Sequence, residues 1–361
     1  MADCHRKGKM DIDLIINIIF YVAVLFVMLV PGVILKKCKL APDGFGKGIS
    51  NLVLYIAQPL LIVSAYVNCK SRFSDIWLNI LMVLLLSVIA HVIFAGVALN
   101  IFRDVPDGKR RILRLATVFS NAAFMGIPLI AALLGEEAAI YASIYNITFN
   151  LFLWTLGVFL CTRNSDEDFD GDGDVDVVDE LRAAHSTMKN EVSFLKVLVH
   201  PVTIASVIGV ILLATGANTA IAANLSGDGA NLILKLVVEC LTMLKALVAP
   251  LSMVVIGLRL AEVDFGGIFK DINLYTFLGL RHLVLPLAVV GIAKLLTLVG
   301  VPISDEALLV SAILAATPAA SSATMFAEKY DCDAGYASKL VIISTILSIV
   351  TLPVVVMVAQ L

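Results

Sequence analysis

Charge is what this sequence has least of. Only 15% of its 361 residues are Asp, Glu, Lys or Arg, whereas 60% are hydrophobic. Soluble globular chains carry about a quarter charged residues, so a water-soluble domain of this length is excluded. Cysteine is also sparse. Cys4, Cys38, Cys69, Cys161, Cys240 and Cys332 include no CxxC pair and have no histidine at metal spacing, so neither a zinc site nor a disulfide framework is expected. The five histidines are equally dispersed. No nucleophile–base pair or metal cluster marks an enzyme, and no cofactor is required. The expected partner is the lipid bilayer, with no nucleic acid.

Apolar residues are abundant, and they come in long runs such as Leu14–Leu35 and Ile76–Phe102. A helix needs about 20 apolar residues to cross roughly 30 Å of hydrocarbon. Backbone in lipid must satisfy its own hydrogen bonds, which makes these runs helices. Spans are predicted at 14–35, 49–67, 76–102, 112–134, 138–161, 194–214, 232–257, 274–298, 307–327 and 334–360. The first dozen residues are too polar for a signal peptide, so 14–35 reads as a retained span. The fold class is an all-α membrane protein of about ten spans.

A polar segment around 162–193 separates residues 1–161 from 194–361, five spans on each side. An odd number of spans per half makes the halves inverted repeats, a recurrent construction in transporters. Shifted by 195 residues, Tyr141-Ala142-Ser143 falls on Tyr336-Ala337-Ser338 and Ile147 on Ile342; shifted by 191, Pro59-Leu60 falls on Pro250-Leu251. Chance matching among apolar residues is the competing explanation.

Helix breakers recur at corresponding places. The fourth span reads Ser120-Asn121-Ala122-Ala123-Phe124-Met125-Gly126-Ile127-Pro128, and the ninth Thr317-Pro318-Ala319-Ala320-Ser321-Ser322. Proline removes a backbone donor and frees a carbonyl one turn earlier. A broken membrane helix is tolerated only where protein buries it or a cavity adjoins it. Paired breaks therefore point to a binding site; two plain proline kinks are the bland alternative. Pro31, Pro59, Pro250, Pro286 and Pro353 read as kinks.

Basic residues set the orientation. Eighteen lysines and arginines, Lys36, Lys47, Arg111, Arg114, Arg259, Arg281 and Lys329 among them, fall on one face and six on the other. The first face is expected to be cytoplasmic, with both termini outside and the 162–193 loop inside.

At Asn121–Pro128, at Pro250 with Gly257, and from Ala316-Thr317-Pro318 to Thr345, the sequence resembles the auxin efflux carrier family, which includes the plant PIN-type exporters and bacterial relatives. The resemblance implies a fold similar to the sodium–proton antiporters and bile acid symporters. In these, spans four and nine cross as broken helices in a mobile transport domain, and spans one, two, six and seven form a scaffold that often dimerises. It also implies elevator-type transport of a small organic anion. The short central loop departs from the plant members, so auxin itself is not implied.

At such a crossing the half-helix N-termini carry partial positive charge suited to a carboxylate. Asn121 is expected to contact the cargo, since a bare mid-span amide is costly unless paired. Ser120, Thr317, Ser321 and Ser322 offer hydroxyls, with back-bonding to the preceding turn as the alternative use. Gly126, Pro128 and Pro318 shape the breaks, and Tyr145, Asn146 and Asn150 share the cavity or join helices. Glu239 is expected to pair with Lys235, and His91, His282, Lys245 and Lys294 to snorkel. No acid stands beside either break, which leaves a proton- or sodium-driven crossover carboxylate unsupported. The alternatives are a sodium-coupled organic acid symporter and a membrane ligand sensor on a transporter fold.

The 162–193 loop holds a further motif, Asp168-Phe169-Asp170-Gly171-Asp172-Gly173-Asp174-Val175-Asp176-Val177-Val178-Asp179. An EF-hand-type loop takes oxygen ligands at positions 1, 3, 5, 7, 9 and 12, with glycine at 6. Asp168, Asp170, Asp172, Asp176 and Asp179 fit with their carboxylates, Asp174 with its backbone carbonyl and Gly173 with the turn. Aspartate at position 12 resembles dockerin and thrombospondin-type loops, while a solvated acidic linker is the plain alternative. A Ca²⁺ site here predicts a saturable calorimetric titration that is lost in the Asp168→Ala, Asp172→Ala double variant. Flat traces for both proteins up to millimolar calcium would reduce the motif to a linker.

Overall fold

The computed structural model describes residues 12–42, 44–161, 199–225 and 231–361. The calcium motif at Asp168–Asp179 lies outside them. Among the described residues the chain is helical, and its single ladder-like feature is one isolated bridge. Seven helices are long and apolar enough to cross a membrane: α1 (Ile16–Lys37), α2 (Phe45–Asn68), α3 (Phe73–Ile101), α5 (Glu136–Cys161), α7 (Leu232–Glu262), α8 (Ile272–Leu298) and α10 (Ala334–Gln360). An eighth, α6, counts when Pro201–Ala214 and Ala217–Leu225, bent by 80°, are taken as one span. The sequence pattern did not reveal that bend. Gly216, at φ 72°, supplies the left-handed residue it needs.

The fourth and ninth apolar stretches are each two pieces. α4a (Asp107–Val118) is followed, after three non-helical residues, by α4b (Ala122–Leu134); α9a (Asp305–Ala316) and α9b (Ser322–Lys329) flank a second gap. Only Gly135 separates α4b from α5, and its φ of 89° admits few residues other than glycine.

Proline explains three widened turns. π-helical turns at Val53–Ala57, Ala122–Gly126 and Leu280–Val284 precede Pro59, Pro128 and Pro286. The proline ring pushes on the carbonyl four residues back and offers it no N–H. That carbonyl belongs to Tyr55, Phe124 and His282 respectively, each at the middle of its π turn. The wider turn relieves the clash within an otherwise continuous helix. A fourth π turn, Leu153–Gly157, has no proline behind it.

Two apolar cores form. One gathers α4b and α9a with Tyr66, Tyr141 and Ile256; the other gathers α4a and α9b with Phe94, Phe277 and Leu340. The breaks thus fall at the border between the cores.

Several polar groups expected at the membrane surface are interior. Arg111 and Arg114 are buried. Arg111 donates to the carbonyls of Cys161 (2.8 Å) and Tyr330 (3.2 Å), and Arg114 to that of Leu99 (3.0 Å). They tie α4a to the ends of α5, α9b and α3 because those carbonyls have no intrahelical donor. His91 and His282 do not snorkel: His91 stacks on Phe152 with ring centroids 5.1 Å apart, and His282 bonds Ser344 and Thr351 on α10. Lys245 pairs with Glu136 at 2.5 Å, and Lys294 donates to the Val358 carbonyl at 3.3 Å. Lys235 and Glu239 form no ion pair with each other, since charges on an exposed helix face gain little from pairing.

Helices α1 and α7 meet backbone to backbone. A Cβ built on Gly257 would lie 2.1 Å from the Leu29 carbonyl oxygen, and one on Gly32 would lie 2.2 Å from that of Val254. Small residues that let helices approach closely are a principal means of packing in membranes. Gly291 on α8 has nothing within 4 Å of its would-be Cβ. Gly257→Ala should therefore lower stability by about 3 kcal/mol, the upper range for forced overpacking. Gly291→Ala should raise it by about 0.4–1 kcal/mol through chain entropy. Unfolding in detergent by tryptophan fluorescence separates the two; equal effects would remove the close contact from the account.

Candidate functional site

At the two gaps the chain is extended rather than helical. Phe119 sits at φ −98°, ψ 120° and Thr317 at φ −61°, ψ 151°. The gaps run antiparallel and exchange hydrogen bonds: the Asn121 N–H donates to the Pro318 carbonyl (2.7 Å), and the Ala320 N–H to the Phe119 carbonyl (2.9 Å). Ser120 and Ala319 are thus paired as in a minimal antiparallel ladder. Each break satisfies backbone groups the other exposes, as an apolar setting requires. The Ala319 N–H donates to Ser344 Oγ (2.9 Å), which is itself hydrogen-bonded to His282 Nε2 (2.8 Å). α8 and α10 therefore hold the ninth-span break in place.

The remaining orphans of the crossing are carbonyls at the ends of α4a and α9a, and Arg281 takes them. Its guanidinium is fully buried and donates to Thr117 O (3.1 Å), Ala315 O (2.7 Å) and Thr317 O (2.9 and 3.3 Å), with Phe94 beneath it at 5.3 Å. From sequence Arg281 is one of the cations of the basic face. Its place is the crossing instead, because the negative ends of two half-helices outweigh the pull of water on a guanidinium that can make this many bonds.

Beside the crossing lies a cavity of about 120 Å³. Ser120, Asn121, Asn146, Asn150, Ser321 and Ser322 line one side; Ser50, Tyr55, Gln58, His200, Val255 and Arg259, on α2, α7 and the start of α6, line the other. Asn121 is 2% and Asn146 1% exposed. Five of these side chains present a buried polar atom with no protein partner: Asn121 Nδ2, Asn146 Oδ1, Gln58 Oε1 and the hydroxyls of Ser321 and Ser322. The Ser120 hydroxyl is within reach of the Tyr145 hydroxyl. A buried unpaired polar group costs about 1–3 kcal/mol. Five around one cavity are a set that a polar ligand would complete.

Not every residue singled out from sequence is there. Thr317 spends its hydroxyl on the Leu314 carbonyl (2.9 Å). Pro318 contributes its carbonyl to the crossing, and Gly126 and Pro128 lie outside the lining. A Cβ on Gly126 would meet Leu314 at 2.6 Å, so that glycine serves packing against α9a. Tyr145 is buried against His91, with ring centroids 5.6 Å apart, and does not line the cavity.

Arg259, Gln58 and His200 line the cavity without having been anticipated. Arg259 is the arginine among them. It reaches from α7 to donate to the Ser321 carbonyl (3.2 Å) and to Thr324 Oγ1. An adjoining space of about 620 Å³ has Lys36, Lys47, Lys329, Glu262 and Glu328 on its walls, with Lys36 ion-paired to Glu262. Ser50, Leu54, Val255, Arg259 and Met325 line both spaces, so Arg259 stands on their shared border. No carboxylate lines the cavity, and the described residues hold no cluster of three metal-ligating side chains. Gln58 was hidden as one polar residue in an apolar run. Its amide donates to the Ala123 carbonyl (3.0 Å), joining α2 to α4b.

The chain is similar to an uncharacterized transporter of Methanothermobacter thermautotrophicus, 27% identical over 328 residues, which cover 91% of this chain and 93% of that protein. A family model described as membrane transport protein matches residues 17–356. By that extent the chain is a multi-pass membrane protein of the membrane transport protein family, the auxin efflux carrier family that its Asn121–Pro128 segment resembles.

Proposed function

We propose that this chain is an elevator-type secondary carrier that moves a small organic anion through the crossover cavity. The observation that carries the reading is the set of five unpartnered polar atoms around a cavity without a carboxylate. The donors among them, Asn121 Nδ2 and two serine hydroxyls, suit the oxygens of a carboxylate. They stand beside the N-terminal ends of α4b and α9b, whose dipoles favour negative charge. Arg259, which lines the cavity, adds an attraction for anions.

The elevator reading is supported by the seam on which the cavity lies. One wall belongs to α2, α6 and α7, the other to α4, α5 and α9. Among the described residues the polar links across that seam are few: Gln58 to Ala123 O, Tyr66 OH to Ser143 Oγ at 3.2 Å, Lys245 to Glu136, and Arg259 to Ser321 O and Thr324 Oγ1. On this reading the ten helical stretches form two inverted five-helix repeats. α1, α2, α6 and α7 serve as a dimerising scaffold, both termini are external, and the cavity is open toward the cytoplasm.

Solid-supported membrane electrophysiology on proteoliposomes tests the carrier. Carboxylates should evoke saturable currents that persist without sodium and without a pH gradient. Currents that vanish without sodium would make the protein a coupled symporter, and saturable binding with neither current nor counterflow would make it a sensor.

Asn121→Ala should weaken cargo binding by about 1–3 kcal/mol, the scale of a lost buried hydrogen bond, and leave the unfolding midpoint unchanged. Arg259→Gln should raise the half-saturating concentration from the basic end about tenfold, the equivalent of 1.4 kcal/mol. Unaltered affinity with a lowered midpoint would reassign Asn121 to structure.

A further inference from the structure

Cys161 and Cys332 are 171 residues apart in the chain, and the fold sets them side by side. Cys161 lies at the end of α5, and Cys332 in the short connection from α9b to α10. The Cys332 thiol donates weakly to the Cys161 carbonyl at 3.8 Å and to the Tyr330 carbonyl at 3.7 Å. The two thiols are within hydrogen-bond reach of each other.

Arg111 fixes this arrangement. Its buried guanidinium donates to Cys161 O (2.8 Å) and Tyr330 O (3.2 Å) from one nitrogen and holds Asp107 at 2.9 Å with another. The end of α5 and the start of the connection are therefore pinned to one side chain. The Cys332 N–H adds a bond to Ala327 O at 2.8 Å.

The two cysteines differ in access. Cys161 is buried, whereas Cys332 is partly exposed. A redox-sensing pair has this form: an accessible thiolate that meets the oxidant, and a second thiol poised to resolve the product. The hydrogen bond offered by Cys161, with Arg111 nearby, holds the Cys332 thiol below its ordinary pKa, against burial and the carboxylates of Asp107 and Asp331.

We propose that Cys332 and Cys161 are a redox-active dithiol that a hydroperoxide closes to a disulfide. The Cys332 thiolate attacks one oxygen of hydrogen peroxide and the O–O bond breaks. Cys332 becomes a sulfenic acid, and the other oxygen leaves as hydroxide. The Cys161 thiol gives its proton to that hydroxide as its sulfur attacks the Cys332 sulfur. The S–S bond forms, the S–O bond breaks, and the departing oxygen regains as water the proton that Cys332 first released. The two thiols together lose two electrons, and the peroxide is reduced to water. The bridge fastens α5 to the end of α9b, two elements that wall the cavity and already touch through Trp154 and Phe326, ring centroids 5.6 Å apart. Arg111 belongs to the basic end, which the orientation proposed above makes cytoplasmic, and there a disulfide is transient and regulatory.

The test uses the purified full chain in detergent, reduced and then exposed to graded hydrogen peroxide. Remaining thiols are blocked with N-ethylmaleimide, and peptides are mapped by mass spectrometry without reduction. A Cys161–Cys332 linked peptide should appear within one chain and vanish with dithiothreitol. Cys38, which is exposed, is the internal comparator: Cys332 should be consumed at least about tenfold faster, through its thiolate character and its resolving partner. In Cys161→Ser the Cys332 sulfenic acid should persist and be trapped by dimedone. In Cys332→Ser, Cys161 should stay unmodified at the same dose.

The absence of the linked peptide would overturn the proposal, as would loss of Cys332 and Cys38 at equal rates or pairing of Cys332 with a different cysteine. Should either serine variant fail to fold, the wild-type peptide map and the rate ratio decide alone.

Discussion

A chain that stops being helical inside hydrocarbon leaves N–H and C=O groups with no water to take them. That constraint governs the crossing, because such groups cost several kcal/mol each in an apolar medium. One break in so apolar an interior would be hard to sustain. Two breaks facing each other supply each other's partners, through Asn121 N–H to Pro318 O and Ala320 N–H to Phe119 O. The carbonyls that two extended segments cannot satisfy between them fall to Arg281. The cavity, its unpartnered side chains and the placement of α8 and α10 all follow from keeping that pair of interruptions intact.

The sequence announced the interruptions more clearly than their surroundings. Proline, glycine and small polar residues at Asn121–Pro128 and Thr317–Ser322 are local signals, readable because each acts on its own backbone. Asn121 was legible for the same reason: an amide in an apolar run is conspicuous. The second wall was not. Gln58, His200 and Arg259 lie 63, 79 and 138 residues from Asn121 in the chain, and only tertiary packing brings them to one cavity. Arg281 was misplaced because a basic residue near the start of an apolar run looks like a surface anchor. The capping role depends on carbonyls 164 and 36 residues away.

Hydroxyls show how far local reasoning reaches. Thr317 and Ser321 belong to the same break, yet Thr317 returns its hydroxyl to Leu314 O while Ser321 Oγ has no partner. Thr317 still sees the last turn of α9a, whose carbonyls lie within reach. Ser321 sits at the N-cap position of the next helix without a side-chain capping bond, and that helix's own carbonyls point away from it. Both uses were open from residue type alone, and the direction of the adjoining half-helix decided between them.

The contact of Gly32 with Gly257 reaches beyond packing. Where two helices touch through side chains, rotamers can adjust and the pair can slide. Where they touch through backbone, with no side chain between Leu29 O and Gly257, there is nothing soft to yield. α1 and α7 therefore meet there with no adjustable side chain between them. The other edge of α7 is built differently: there Arg259 and Lys245 reach their partners on long, flexible arms.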